Sequence, residues 1–177
     1  LILVNWLAGR RKAIWVSKSA TLIEDAIRDW TDLGGSPADI QPLSKWKPDQ
    51  PVPMGDGILF VTYATLRSAG KCGTTRLSQI LDWMGEDFEG VLAFDEAHAM
   101  QGLSGLRLQL AAPGARVFYI SATGATSVHN LAYAARLGLW GQGPEYPFPS
   151  RESFVSAMEA GGVAAMEVVA RDLKTLG

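Results

Sequence analysis

A chain of 177 residues, 47% hydrophobic and 19% charged, has the size and balance of a globular domain able to bury a sizeable core. Its formal net charge of −2 gives no electrostatic footprint for stand-alone nucleic-acid binding, and Arg10-Arg11-Lys12 with Lys18 is the one local basic strip. A single cysteine, Cys72, excludes an internal disulfide, suits a reducing cytoplasmic setting and, with two histidines, argues against a structural zinc site.

No apolar run reaches the roughly 18–20 residues that span a bilayer. In the opening "LILVNWLAGRRK" the positive charges follow the apolar run, the reverse of a signal peptide. The chain starts without Met and in mid-pattern, so it reads as part of something longer.

The first strand signal is the apolar run Ala13 to Val16. A helical stripe follows at Leu22, Ile23, Ala26, Ile27 and Trp30. Between Gly34 and Gly57 the prolines Pro37, Pro42, Pro48, Pro51 and Pro53 predict a long connection, with at most one short strand near Ile40 to Leu43. The second apolar run is Ile58 to Thr62. Leu77, Ile80, Leu81 and Met84 then repeat at helical spacing, with Thr74 or Thr75 as N-cap. Val91 to Phe94 and Val117 to Ile120 complete the strand signals.

All these runs are nearly continuous in apolar residues, as strands buried on both faces of a parallel sheet are. Their alternation with helices predicts an α/β domain, a mostly parallel sheet with helices on both faces. Beyond Ala125 the pattern turns helical, through Leu131, Ala134, Ala135 and Leu137, then a Gly/Pro-rich turn. Ser150 is placed to cap a helix carrying Phe154 and Met158, and Val163, Met166, Val169 or Ala170, and Leu173 mark a last helix. The expected division is residues 1–125 as the main domain and 126–177 as a helical extension packed on it.

The chemistry concentrates at "VLAFDEAH", where an apolar strand runs into Asp95 and Glu96. In open parallel sheets ligands bind beyond the carboxyl ends of the strands. One acid there can hold a divalent cation through water beside a phosphate, while the other orients a nucleophilic water. The plain alternative is a solvated strand end. The four residues Asp95-Glu96-Ala97-His98 should occur by chance about once in a thousand chains of this length. Ser121-Ala122-Thr123 follows a second strand, "RVFYI", and its hydroxyls are suited to hydrogen-bond His98. Alone, that triplet is a turn or a helix cap.

"DEAH" followed by "SAT" resembles motifs II and III of the superfamily 2 helicases, P-loop NTPases with RecA-like domains. The segments "GRRKAIWVSKSATLIEDAIRDW", "ILFVTYATLRS", "TRLSQILDWMGEDFEGVLAFDEAH", "RVFYISATGATSVHNLAYAARLGLWG" and "FVSAMEAGGVAAMEVVARDLK" are similar to the strawberry notch group of helicase-like proteins. The resemblance covers almost the whole chain. It implies an incomplete RecA-like P-loop NTPase fold with a helical C-terminal part, using ATP and Mg²⁺. Asp95 would hold Mg²⁺ through water and Glu96 would activate the hydrolytic water. His98, Ser121 and Thr123 would couple nucleotide state to the partner domain or the nucleic acid. Ser17 and Lys18, then Thr62 and Tyr63, stand where such proteins approach a nucleic-acid backbone. The implied partners are DNA or RNA and a second RecA-like domain of the same chain, with no membrane.

The sequence departs from that group at Ala97, where a Cys is usual, and at Ala99, where a basic residue is usual. A G-x-x-x-x-G-K-[ST] loop, whose backbone N–H groups cradle phosphates, is absent. "TLRSAGKCGTT" approaches it at Gly70-Lys71 but has Thr65 and Cys72 at two required positions. By resemblance the true loop precedes the helix that begins at Leu1, and a second motor domain would follow Gly177. Residues 1–177 alone are therefore expected to bind nucleotide poorly and hydrolyse none. The main alternative is a catalytically silent regulatory or scaffold module that keeps the fold. A metal-dependent hydrolase built on the carboxylates alone ranks last, lacking further His or Asp ligands. Short loops and the absence of targeting segments point to a cytoplasmic protein of bacterial or phage origin.

Overall fold

The computed structural model describes residues 1–68, 74–100, 103–121 and 134–176. They fall in two compact units, Leu1–Ala122 and Thr123–Gly177. In the first unit five strands, β1 (Lys12–Ser17), β2 (Ile40–Pro42), β3 (Gly57–Thr62), β4 (Val91–Phe94) and β5 (Arg116–Tyr119), form one parallel sheet in the order β2-β3-β1-β4-β5. The helices are α1 (Ile2–Leu7), α2 (Leu22–Asp32), α3 (Tyr63–Arg67), α4 (Arg76–Met84) and α5 (Ser104–Ala111). The expected α/β architecture is the one observed, and it is that of an incomplete RecA-like fold.

The strand order explains why the apolar runs are continuous. β1 and β4 lie inside the sheet, and Ala13, Ile14, Val91, Leu92 and Phe94 are all completely buried. One face carries Trp15, Phe60 and Phe118 against Trp6 of α1 and Ala26 and Trp30 of α2. On the other face Phe94 stacks on Tyr119, with ring centroids 5.8 Å apart, and the Tyr119 hydroxyl donates to the buried Gln109 of α5. Each large side chain buried in this way contributes roughly 1.5–3 kcal/mol.

The order also fixes where the chain reverses. From β1 the connection runs toward β2 and β3, whereas β4 continues to β5 on the opposite side of β1. The crevice beyond Ser17 and Phe94 is therefore the topological switch point.

The proline-rich connection is anchored by partners distant in sequence. Gln79 of α4, 4% exposed, donates to the carbonyls of Lys47 at 2.8 Å and Gln50 at 2.6 Å. Arg76 donates to the Trp46 carbonyl at 2.6 Å, and burial pushes its pKa below the ordinary arginine value. Thr75 caps α4 in a reciprocal capping box with Ser78. A Cβ on Gly35 would lie 2.0 Å from Trp30 Nε1, so glycine is required where the chain passes the Trp30–Asp39 hydrogen bond.

Two short helices, α3 and α5, fall where no helix was expected, whereas the expected helical stretch through Ala134, Ala135 and Leu137 shows, among its described residues, a 3₁₀ turn at Ala135–Leu137. Both helices are too brief to show an apolar period. In the second unit Ser150 Oγ accepts from the Ser153 N–H at 3.1 Å, as expected of a cap. It opens α6 (Arg151–Leu176), whose Phe154 and Met158 pack with Leu139. By length and composition α6 is long and apolar enough to cross a membrane, a property hidden in the sequence because Ala and Gly dilute its apolar pattern. Gly162, at φ 59° and ψ −148°, interrupts it. The two pieces span about 17 and 21 Å at 1.5 Å per residue, short of the roughly 30 Å hydrocarbon layer.

Candidate active site

The turn after β4 is held from both neighbouring strands. Asp95 N–H donates to Val16 O at 2.8 Å, Ile120 N–H to Phe94 O at 2.8 Å, and Ala97 N–H to Ile120 O at 2.9 Å. Within it Glu96 adopts φ 49° and ψ 46°, the one non-glycine residue with positive φ among the described residues. A left-handed conformation costs an L-residue about 1–2 kcal/mol and persists where the surroundings over-determine it.

Asp95 supplies much of that determination. Its Oδ1 accepts from Glu96 N–H at 3.0 Å and its Oδ2 from Ser17 Oγ at 3.1 Å. Its main-chain carbonyl accepts from the Tyr63 hydroxyl at 2.9 Å. A carboxylate offers about four lone-pair positions, so the partly exposed Asp95 keeps acceptor capacity toward the crevice. Mg²⁺ retains several waters and takes one or two carboxylates plus substrate phosphates, a requirement this residue fits. Among the described residues no cluster of three or more acidic, His or Cys side chains forms a complete metal cage.

His98 lies in the 3₁₀ turn Ala97–Ala99. Its Nδ1 stands 3.2 Å from Glu96 Oε2 and 3.0 Å from Ser121 Oγ. One nitrogen therefore serves two oxygens. When Nδ1 carries a proton it donates to the carboxylate; when it does not, only the serine hydroxyl can donate to it. The structure thus brings Asp95, Glu96, His98 and Ser121 into one site. Thr123 and the Gly70-Lys71-Cys72 stretch lie outside the described residues.

The four residues expected at a nucleic-acid backbone divide. Ser17 is fully buried and its hydroxyl is turned to Asp95. Thr62 caps α3, accepting from Thr65 N–H at 3.0 Å, and Tyr63 is 6% exposed with its hydroxyl on the Asp95 carbonyl. Lys18 is exposed. Sequence reasoning missed that Ser17 and Tyr63 reach Asp95. The available signal was that both sit at the ends of strands expected to run parallel, and so at the same edge of the sheet as the carboxylates.

The sequence profile of the family described as "P-loop containing NTP hydrolase pore-1" matches residues 1–177. The chain is 45% identical over 187 residues to the human protein strawberry notch homolog 2, covering all of this chain and 14% of the relative. It is 42% identical over 199 residues to protein strawberry notch of Drosophila melanogaster, again over the whole chain but 12% of that relative. With protein FORGETTER 1 of Arabidopsis thaliana it shares 38% over 194 residues, all of this chain and 15% of that one. The chain thus spans about one seventh of the length of the human relative. These relatives come from animals and a plant, which gives the expected bacterial or phage origin no support. No solved structure matches.

Proposed function

The chain belongs to the P-loop containing NTP hydrolase pore-1 family, and on that premise we propose that it forms part of the motor domain of an ATP-dependent, helicase-like enzyme stimulated by DNA or RNA. The observation that carries this reading is the Asp95–Glu96 turn, held in a strained conformation at the topological switch point of a parallel sheet.

In this reading Glu96 orients the attacking water and accepts its proton as the water oxygen bonds to the γ-phosphorus and the bond to ADP breaks. Asp95 holds Mg²⁺ through water, and the cation when bound neutralises phosphate charge. His98 divides its Nδ1 between Glu96 and Ser121, so movement of the Ser121 segment alters how firmly the catalytic carboxylate is held. By the family resemblance Thr123 would share that coupling role. Lys18 supplies the exposed positive charge for a nucleic-acid backbone.

The test is ATPase assay of the full-length protein with and without single- and double-stranded nucleic acid, beside Glu96→Gln. Stimulated hydrolysis lost in the variant is the expected result. Normal hydrolysis by Glu96→Gln would remove the catalytic assignment, and no response to nucleic acid would remove the helicase-like one.

A further inference from the structure

We propose that Ser17 and Tyr63 are positioning residues for the catalytic turn, Ser17 acting on Asp95 from the end of the neighbouring strand β1 and Tyr63 from the start of α3, just past the next strand β3. The proposal rests on the ATPase reading above and adds what sets the geometry of its carboxylates.

The strand register dictates the first half. Val16 of β1 pairs with Phe94, the last residue of β4, so Ser17 and Asp95, the residues that follow them, stand side by side. Ser17 has no solvent exposure, and its hydroxyl donates to Asp95 Oδ2 at 3.1 Å. A desolvated donor pointed at a carboxylate fixes which rotamer that carboxylate adopts. The opposite oxygen, Oδ1, is taken by the Glu96 N–H at 3.0 Å. Both oxygens are therefore oriented, and their remaining lone pairs have defined directions.

The second half acts on the backbone. Tyr63 is the first residue of α3, whose N-terminus Thr62 caps. Its hydroxyl donates to the Asp95 carbonyl at 2.9 Å. That carbonyl belongs to the peptide whose N–H is that of Glu96, so holding it sets the plane from which the Glu96 φ of 49° departs. Ser17 thus governs Asp95, and Tyr63 governs Glu96 through the Asp95–Glu96 peptide. Removing either hydroxyl leaves the acids in place but frees their orientation, which costs rate or metal affinity because a misplaced reacting group is severely penalised.

The experiment compares wild type, Ser17→Ala and Tyr63→Phe of the full-length protein. ATPase rate is measured against Mg²⁺ and ATP concentration, and Mn²⁺ binding with a non-hydrolysable ATP analogue is followed by electron paramagnetic resonance. Ser17→Ala is expected to weaken Mn²⁺ binding and raise half-saturating Mg²⁺ about tenfold, with a smaller fall in kcat. Tyr63→Phe is expected to lower kcat about tenfold with metal binding unchanged, and to speed hydrogen exchange at the Glu96 amide. A merely structural role would lower stability without this split. The two variants are independent, since Tyr63→Phe keeps the ring and tests its hydroxyl even if Ser17→Ala fails to fold. Wild-type protein without Mg²⁺-dependent hydrolysis would overturn the ATPase reading. Active wild type, with both variants matching it in Mg²⁺ dependence and kcat, would overturn this inference alone.

Discussion

Glu96 Oε2 stands 3.2 Å from His98 Nδ1, and the same nitrogen is 3.0 Å from Ser121 Oγ. Because one ring nitrogen cannot donate to the carboxylate while accepting from the hydroxyl, the two contacts compete. His98→Ala and Ser121→Ala should therefore each lower nucleic-acid-stimulated ATPase without abolishing it, and their effects should not add. A double-mutant cycle on kcat is expected to show a coupling of about 1 kcal/mol, roughly fivefold in rate. Strictly additive losses would mean that the shared nitrogen transmits nothing.

Glu96 holds its position at a cost in backbone strain, which can be measured separately from catalysis. Glu96→Gly and Glu96→Ala both delete the carboxylate, yet only glycine accepts φ 49° without a Cβ penalty. The glycine variant should be the more stable of the two by about 1 kcal/mol, read by thermal or urea unfolding, while both lose hydrolysis. Equal stabilities would show that the turn relaxes out of the left-handed region when the side chain is gone.

Much of this site was legible in the residues because strand, turn and carboxylates are consecutive in sequence. The apolar runs Val91 to Phe94 and Ala13 to Val16 mark buried parallel strands, and a parallel sheet brings the residues just beyond each strand to one common edge. Sheet order was not legible. Nothing local to Ser17 says that β4 will be its neighbour, so its hydroxyl read as facing outward when it faces Asp95. In the proline-rich segment the long connection with one short strand was legible, but what orders it was not, for the same reason. Its order depends on Gln79 and Arg76, side chains well beyond it in sequence, supplying hydrogen bonds to its carbonyls.

That dependence on Gln79 gives a stability prediction free of any functional assumption. The amide donates to two carbonyls and accepts from Arg76 at 2.8 Å. Gln79→Leu fills similar volume but leaves the Lys47 and Gln50 carbonyls without their donor, each group costing about 1–3 kcal/mol where the lost bond is shielded from water, while Arg76 keeps the Trp46 carbonyl. Urea unfolding of the chain should show a loss of about 3 kcal/mol. A loss under about 0.5 kcal/mol, the usual range for surface substitutions, would mean that water replaces the amide and that the segment orders itself.

Lys18 separates the nucleic-acid part of the proposal from the nucleotide part. Of the four residues expected at a backbone, it is the exposed one, whereas the Ser17 and Tyr63 hydroxyls are engaged with Asp95 and Thr62 with its helix cap. If Lys18 neutralises one phosphate, Lys18→Ala should weaken binding of single-stranded nucleic acid similarly for all sequences. It should also reduce the slope of log affinity against log salt by about 0.7, the value for one contact on a single strand. Fluorescence anisotropy across a salt series on the full-length protein measures both quantities. Ser17→Ala in the same assay should leave the salt slope alone, since a buried hydroxyl releases no counterion. An unchanged slope for Lys18→Ala, or an altered one for Ser17→Ala, would move the backbone contact away from the end of β1.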